Sequence, residues 1–391
     1  MTRKKKIGIV ILIIIGVIIA YFAISAAHRT YEQKTYGGHG FDYMNGYSST
    51  DFKGYHVYDG EKLVSLKHKA SLWIEEEKEM PVMDGAEACY PVYTAVAKAI
   101  YEDIDVIEKK ANKRYEEWED KHFDEYGEPE DWYEQDEEDA EEEWIDKYNN
   151  GMIVTFTNTV WGYDRLIDGE VDLFFGARPS ADQKEFAADE KKQIISTPIG
   201  SEAFVFFVEE DNPVDDLTSE QVRKIYSGDI TNWKEVGGKD QKIVAFQRPE
   251  ESGSQVMMEY FMGDVKLKAP DTYEIVDAMD GVIDEVKQYN NEAGAMGYTF
   301  RYFLEGLQQE EGVKMLAIDG VAPTQKHIAD RTYPIIVPLV CAKIKGNDNP
   351  NVDKVIDFLR SKDGQYIITK TGYGPLDKNN ADPIVENKDD K

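Results

Sequence analysis

The stretch Met152-Ile-Val-Thr-Phe-Thr-Asn-Thr-Val-Trp-Gly-Tyr-Asp-Arg-Leu-Ile-Asp-Gly-Glu-Val-Asp-Leu-Phe-Phe-Gly-Ala-Arg178 decides the fold class. Met152 to Thr157 is strand-like, and Trp161 to Ile167 has helical spacing. Asp168-Gly169-Glu170 breaks that helix, and Val171 to Gly176 is a second, apolar strand. Strands alternating with helices predict an α/β fold with a largely parallel sheet, whose ligands sit at the carboxyl ends of strands. Asn158, Thr159 and Arg178 fall at such ends.

The same texture extends in both directions. Upstream, Ser71-Leu-Trp-Ile74 is expected as a short strand and Met80 to Ala88 as a glycine-containing turn. A helix is expected from Pro91, with Val92, Ala95, Val96, Ala99 and Ile100 on its apolar stripe. The backbone N–H groups around Ala86, Glu87 and Ala88 then lie at the positive end of a helix, which suits an anion. Downstream, Ala203 to Val208 is a buried strand, and Thr218 and Gln221 form a capping box for a helix that stops before Gly228. A strand over 243–246 leads into Arg248-Pro-Glu-Glu-Ser252-Gly253-Ser254-Gln255, then a helix expected to turn Val256, Met257, Tyr260 and Phe261 inward. Ser252 caps that helix, and Gly253 allows close approach. Hydroxyls, N–H groups and the Arg248 guanidinium therefore meet at a helix start, which is how an oxyanion site is built.

Composition bounds the remaining choices. The 391 residues suit two or three domains with a sizeable core. Lys plus Arg is 45 against 76 for Asp plus Glu, a net charge of −31, which repels phosphate backbones and excludes nucleic acid as a partner. Two cysteines, Cys89 and Cys341, are too few for a disulfide framework and leave their own pairing open. His28, His39 and His56 lack ligand spacing, so no metal or cofactor is expected. Enzyme signatures are missing too: Ser252-Gly-Ser254 lacks G-x-S-x-G framing, and none of the six histidines is a motif-supported base.

The amino terminus indicates location. Arg3, Lys4, Lys5 and Lys6 precede an uncharged run over 7–27, long enough to cross a bilayer as one helix. A short cytoplasmic tail, a single-pass anchor and an extracytoplasmic body follow, the body being secreted if 1–27 is a cleaved signal. Residues 28–69, dense in Gly, Tyr and His near the start, read as a spacer or irregular cap. Between Glu116 and Lys147 eighteen acidic residues face two lysines, so about half the excess charge lies in one insert, spanning about 108–148. Trp118, Phe123, Tyr126, Trp132, Tyr133 and Trp144 within it favour a solvated helical hairpin over a disordered tract.

Several ordered pieces together resemble one family. Asp84-Gly-Ala-x-Ala with its following Pro-x-Tyr helix, the Asp168 to Phe175 strand, the Gly228 to Gly238 segment and the Arg248 to Ser254 turn are similar to the phosphate-binding proteins of bacterial phosphate ABC transporters. Gly294-Ala-Met-Gly-Tyr298, Arg331-Thr-Tyr-Pro334 and Gly372-Tyr-Gly-Pro-Leu376 extend the likeness, which covers roughly 70–378. The resemblance implies a two-lobed type 2 periplasmic-binding-protein fold with a hinge, closing over one inorganic phosphate and passing it to permease subunits. It implies one lobe from 70–202 and 299–378, a second from 203–298, and a polar tail over 379–391. It also implies ligand contacts from Arg248, Ser252, Gly253 and Ser254, from the Ala86, Glu87 and Ala88 turn, and from Asn158 or Thr159.

Two positions depart from the family pattern. Glu87 stands where a hydroxyl would face phosphate, and Arg178 lies near where an Asp commonly accepts the ligand's hydrogen. A bare carboxylate against an anion in a closed cleft is repelled by several kcal/mol. Either Glu87 accepts the phosphate hydrogen while Arg178 adds a donor fork, or the two pair and close the cleft. The second arrangement would suit a membrane-tethered sensor or interaction module of the same fold, with an altered ligand such as a phosphonate or with none.

Overall fold

A computed structural model describes residues 52–122, 152–249, 252–270, 283, 286–287, 294–308 and 312–388. The basic tail, the anchor over 7–27, His28, His39 and most of the acidic insert lie outside these residues. Among the described residues no helix is long and apolar enough to cross a membrane.

The first strand, β1 (Met83–Gly85), is followed by a single 3-10 turn over Glu87–Cys89, α1 (Tyr90–Ile100) and α2 (Ile104–His122). The expected strand at Ser71–Ile74 is reduced to one bridge from Ile74 to Tyr101, and β1 lies inside the stretch expected to be a turn. Only three residues long, with an aspartate in the middle, it exists because both its edges are paired. Met83–Gly85 runs parallel to β2 (Leu173–Gly176), and Met83 bridges Val154 on the other side. Between the 153–157 segment and β2 comes α3 (Thr159–Asp168), which ends on Gly169 at φ 92°, the left-handed cap expected there. Next come α4 (Ala181–Asp189) and β3 (Ile194–Glu209).

β3 holds the molecule together. Its amino half pairs with β9 (Ile336–Ile344) and its carboxyl half with β6 (Ala295–Phe300), all antiparallel. The path β1-β2-β9-β3-β6-β5 therefore joins two sheets through one 16-residue strand, with β5 (Val244–Ala245) at its far edge. The expected largely parallel sheet is mixed: only the β1–β2 and β5–β6 pairs are parallel on this path. The register against β9 shifts between Pro198 and Gly200, and the pairing passes from β9 to β6 between Ala203 and Phe204. A proline lacks the ladder donor and glycine tolerates the bend, so the irregularity falls at Pro198–Gly200, within the β9 ladder and a few residues before the lobe crossing.

Each sheet has its own core. In the first lobe, alternation along β2 sends Leu173 and Phe175 to one face and Phe174 to the other. Phe175 packs with α1, α8 (Val352–Arg360) and α9 (Lys362–Thr371), whereas Phe174 packs with Tyr163, Leu166 and Ile167 of α3. Residues 52–63 belong to this lobe: Phe52, Val57 and Leu63 are buried, and His56 Nδ1 lies 2.8 Å from the Tyr90 hydroxyl. From residue 52 onward the expected spacer is a cap.

The second core surrounds Phe204 to Val208 of β3 and takes in α5 (Ser219–Ser227) and α6 (Gly253–Met262). The α5 capping box is present, with Thr218 Oγ1 accepting from Gln221 N and Gln221 Oε1 accepting from Thr218 N. β7 (Val313–Met315) pairs with β3, β8 (Ala317–Ile318) pairs with β4 (Asp216–Leu217), and Ile328 of α7 (Gln325–Ala329) joins the same core. The chain therefore stays with the second sheet until β9, later than the return expected at 299. The tail ends in β10 (Ile384–Val385), which pairs with the first-lobe half of β3.

Candidate functional site

Three segments meet at the seam between the lobes, each opening a helix. The first is the turn Ala86–Cys89 ahead of α1, and the second is Asn158–Thr159 at the start of α3. The third comprises Arg248 and, at the start of α6, Ser252 to Ser254. A Cβ added to Gly253 would sit 2.8 Å from Thr159 Oγ1 and 3.6 Å from Ala177 Cβ, so glycine lets the second and third segments touch. Ala88 and Ala177, from the first lobe, pack into the second lobe's core. Helix starts collected this way present N–H groups and positive dipole ends to one volume, which favours an anion.

Side chains sharpen that preference. The Ser254 hydroxyl is fully buried and its Oγ has no hydrogen-bond partner among the described residues. An unsatisfied buried hydroxyl costs about 1–3 kcal/mol, so a ligand oxygen there is a net gain. Ser252 Oγ accepts from Gln255 N at 3.3 Å as the cap of α6, which leaves its own proton to donate. Arg248 is 9% exposed, and its backbone is held from below. Its N–H donates to Gln255 Oε1 at 3.2 Å and to the Tyr298 hydroxyl at 3.1 Å, while that hydroxyl in turn donates to Gln255. Burial pushes the Tyr298 hydroxyl well up, so it stays protonated at neutral pH.

Other expected contacts have different work. The Ala86 N–H is spent on the Phe175 carbonyl at 2.8 Å, and Asn158 Oδ1 accepts from Trp161 N at 2.9 Å as the α3 cap. Arg178 does not pair with Glu87. Its Nε and Nη2 close on Glu386 Oε1 and Oε2 at 2.9 and 2.7 Å, and this contact raises its pKa further. The Glu386 carboxylate is fully buried and needs a cation, and β10 delivers it to Arg178 from the far end of the chain. The Arg178 fork instead borders a cavity of about 890 Å³ also lined by Pro198, Tyr260, Arg331 and Pro338. Tyr260, expected inward, is 69% exposed. Glu87 is buried in the 3-10 turn.

The residue that sequence reasoning missed is Asp84. Quoted only as the head of a motif, it is fully buried beneath the first turn. Its Oδ1 accepts from Gly85 N at 2.7 Å and Thr157 N at 2.9 Å. Its Oδ2 accepts from Thr157 Oγ1 at 2.9 Å and Arg165 Nη1 at 2.5 Å. Burial raises its pKa, against the opposing pull of Arg165 and these donors. An acidic residue inside a strand walled by apolar neighbours was the available signal. Its partner lies 81 positions away, on a helix that sequence alone does not orient.

The chain is similar to known proteins. The Bacillus subtilis protein called "Phosphate-binding protein PstS" is 30% identical over 211 residues, covering 53% of this chain and 64% of its own length. The Borreliella burgdorferi protein of the same name is 25% identical over 182 residues, covering 45% of this chain and again 64% of its own length. The chain thus spans under two thirds of each of these relatives. The crystal structure of an ABC-type phosphate transport receptor from Vibrio cholerae aligns with 23% identity and a TM-score of 0.46, over 75% of this chain and 99% of that one. A family model described as "PBP superfamily domain" matches residues 133–363, more than half the chain. With two lobes, a shared crossing strand and helix starts gathered at the seam, the chain belongs to the PBP superfamily.

Proposed function

We propose that this chain is an extracytoplasmic solute-binding receptor that captures inorganic phosphate between its lobes and hands it to the permease subunits of an ABC importer, without chemistry on the ligand. One observation carries the reading: the buried Ser254 hydroxyl without a partner, at a helix start that meets Thr159 across the seam and sits beside buried Arg248. The names of the Bacillus and Borreliella relatives support the same ligand class. Arg248, Ser252, Gly253, Ser254, Thr159, Glu87 and Ala88 form the contact set, with Arg178 removed to its pair with Glu386. Glu87 accepts the hydrogen of monohydrogen phosphate, which keeps the carboxylate from facing an unprotonated oxygen. Residues 7–27 tether the body to the membrane as a single-pass anchor, with the body on the extracytoplasmic face.

The test is calorimetry and thermal melting of protein stripped of ligand, with phosphate and sulfate added separately. Phosphate at a hundred times its dissociation constant should stabilise the fold by about 2.7 kcal/mol. Arg248→Ala should lose about 2–5 kcal/mol of phosphate affinity, because a desolvated charge contact is removed. Arg178→Ala should leave affinity unchanged. Silence towards every anion would overturn the reading.

A further inference from the structure

We infer that Asp84 is a positioning residue for the anion site, acting through Thr157; the inference rests on the phosphate reading above. Its bonds run to the two first-lobe segments that carry ligand contacts. Gly85, whose N–H it accepts, precedes the Ala86–Cys89 turn. Thr157, held by both its N–H and its hydroxyl, precedes the Asn158 cap and Thr159. Arg165 adds the helix itself: Nη1 reaches Asp84 Oδ2 at 2.5 Å and Thr155 Oγ1 at 3.0 Å, and Nε reaches Glu170 Oε2 at 3.0 Å. One carboxylate thus ties the end of β1, the 155–157 segment and α3 into a single unit.

Sheet formation alone does not require this arrangement. Met83 and Thr155 already join the two segments through Met83 N to the Ile153 carbonyl at 2.7 Å and Thr155 N to the Met83 carbonyl at 2.8 Å. A buried ion pair adds little net stability over an apolar pair of the same shape, whereas it does fix geometry. Binding sites held about 1 Å too loosely lose function, so a rigid link beneath two ligand-bearing turns has its effect on affinity. Arg165 offsets the Asp84 charge that would otherwise stand bare beneath an incoming anion.

The experiment uses the full chain with Thr157→Val, Thr157→Ser and Asp84→Asn. Thr157→Val is nearly isosteric and keeps the backbone N–H bond to Asp84 Oδ1, but deletes the hydroxyl donor to Oδ2. It should weaken phosphate binding about tenfold, while Thr157→Ser, which keeps the donor, stays within about twofold. Asp84→Asn presents an amide donor to Arg165 and should lose more. Amide exchange without ligand gives a second readout: in Thr157→Val, residues 86–88 and 159–162 should exchange roughly tenfold faster while α8 and α9 are unchanged. A folded Thr157→Val protein with wild-type affinity and wild-type exchange would overturn the inference. If wild-type protein ignores phosphate, it is the phosphate reading that fails, and the exchange comparison still decides the role of Asp84.

Discussion

Replacing Glu202 by glutamine should remove part of the stability loss that accompanies rising pH, so that wild type is the more stable protein in acid and the variant the more stable in base. Glu202 lies on β3 where the strand crosses between the lobes, and it is fully buried; Oε1 accepts from Ala203 N at 2.7 Å and Oε2 from Tyr302 N at 3.3 Å. Burial raises its carboxyl from 4.5 to about 7, against the opposing pull of those donors and of Arg301. A raised folded-state pKa means that the stabilising contribution is complete below pH 4.5 and is lost as the pH climbs through 7. At 1.36 kcal/mol per pKa unit, ionisation of this group costs about 3 kcal/mol at pH 8. Glutamine keeps the acceptor for Ala203 but turns an amide donor towards Tyr302 N, a constant loss of about 1 kcal/mol. Glu202→Gln should therefore be about 1 kcal/mol less stable than wild type near pH 4.5 and about 2 kcal/mol more stable at pH 8. Urea unfolding at half-unit steps between these limits would show the two curves crossing. Parallel curves would refute the assignment of the raised carboxyl to Glu202.

Further outcomes are expected elsewhere. Glu108 accepts from Ile153 N and Val154 N through one oxygen, and its carboxyl is pushed up to about 7 by burial. Glu108→Gln keeps both bonds, so it should raise the melting temperature at pH 8 but not at pH 4.5. Arg165→Gln strands the buried Asp84 carboxylate and should cost about 3–5 kcal/mol in chemical unfolding. Gly253→Ala drives a methyl towards Thr159 Oγ1, so phosphate affinity should fall with little change in the melting temperature of the free protein. Cys89 and Cys341 are free and buried, with the Cys89 thiol pushed up to about 12, so a thiol reagent should label neither until the protein unfolds.

Local hydrogen bonds were legible in the sequence and distant ones were not. The Thr218–Gln221 box, the Ser252 cap and the glycine stops at Gly169 and Gly228 involve residues within a few positions of one another, and all four are in place. β1 was hidden because three residues with a central aspartate carry no periodicity; pairing on both sides makes it a strand. The antiparallel return of β9 beside β3 depends on more than 120 intervening residues, which no window of sequence contains. Arg178 shows the same limit at the site. Its position at the end of β2 was readable, but its partner is 208 residues away, just past the last strand. Tyr260 shared a helical stripe with Phe261, yet adjacent residues on a helix differ by about 100° in direction, and only the second faces the core.

The strand order of the first lobe dictates a sequence of assembly. β9 lies between β2 and β3, so a chain emerging amino end first has displayed β1, β2 and β3 long before the strand that fills the gap appears. The second lobe lacks this delay, since β3, β5, β6, β7 and the core residues through Tyr333 all precede β9. The lobe that is begun first is finished last, after residues 336–371 arrive to close its sheet and cover Phe175. Until then its open strand edges are exposed to pairing with other chains, the hazard that accompanies any sheet completed from its far end. Truncation within the last 60 residues should therefore be far more damaging to solubility than its modest size suggests.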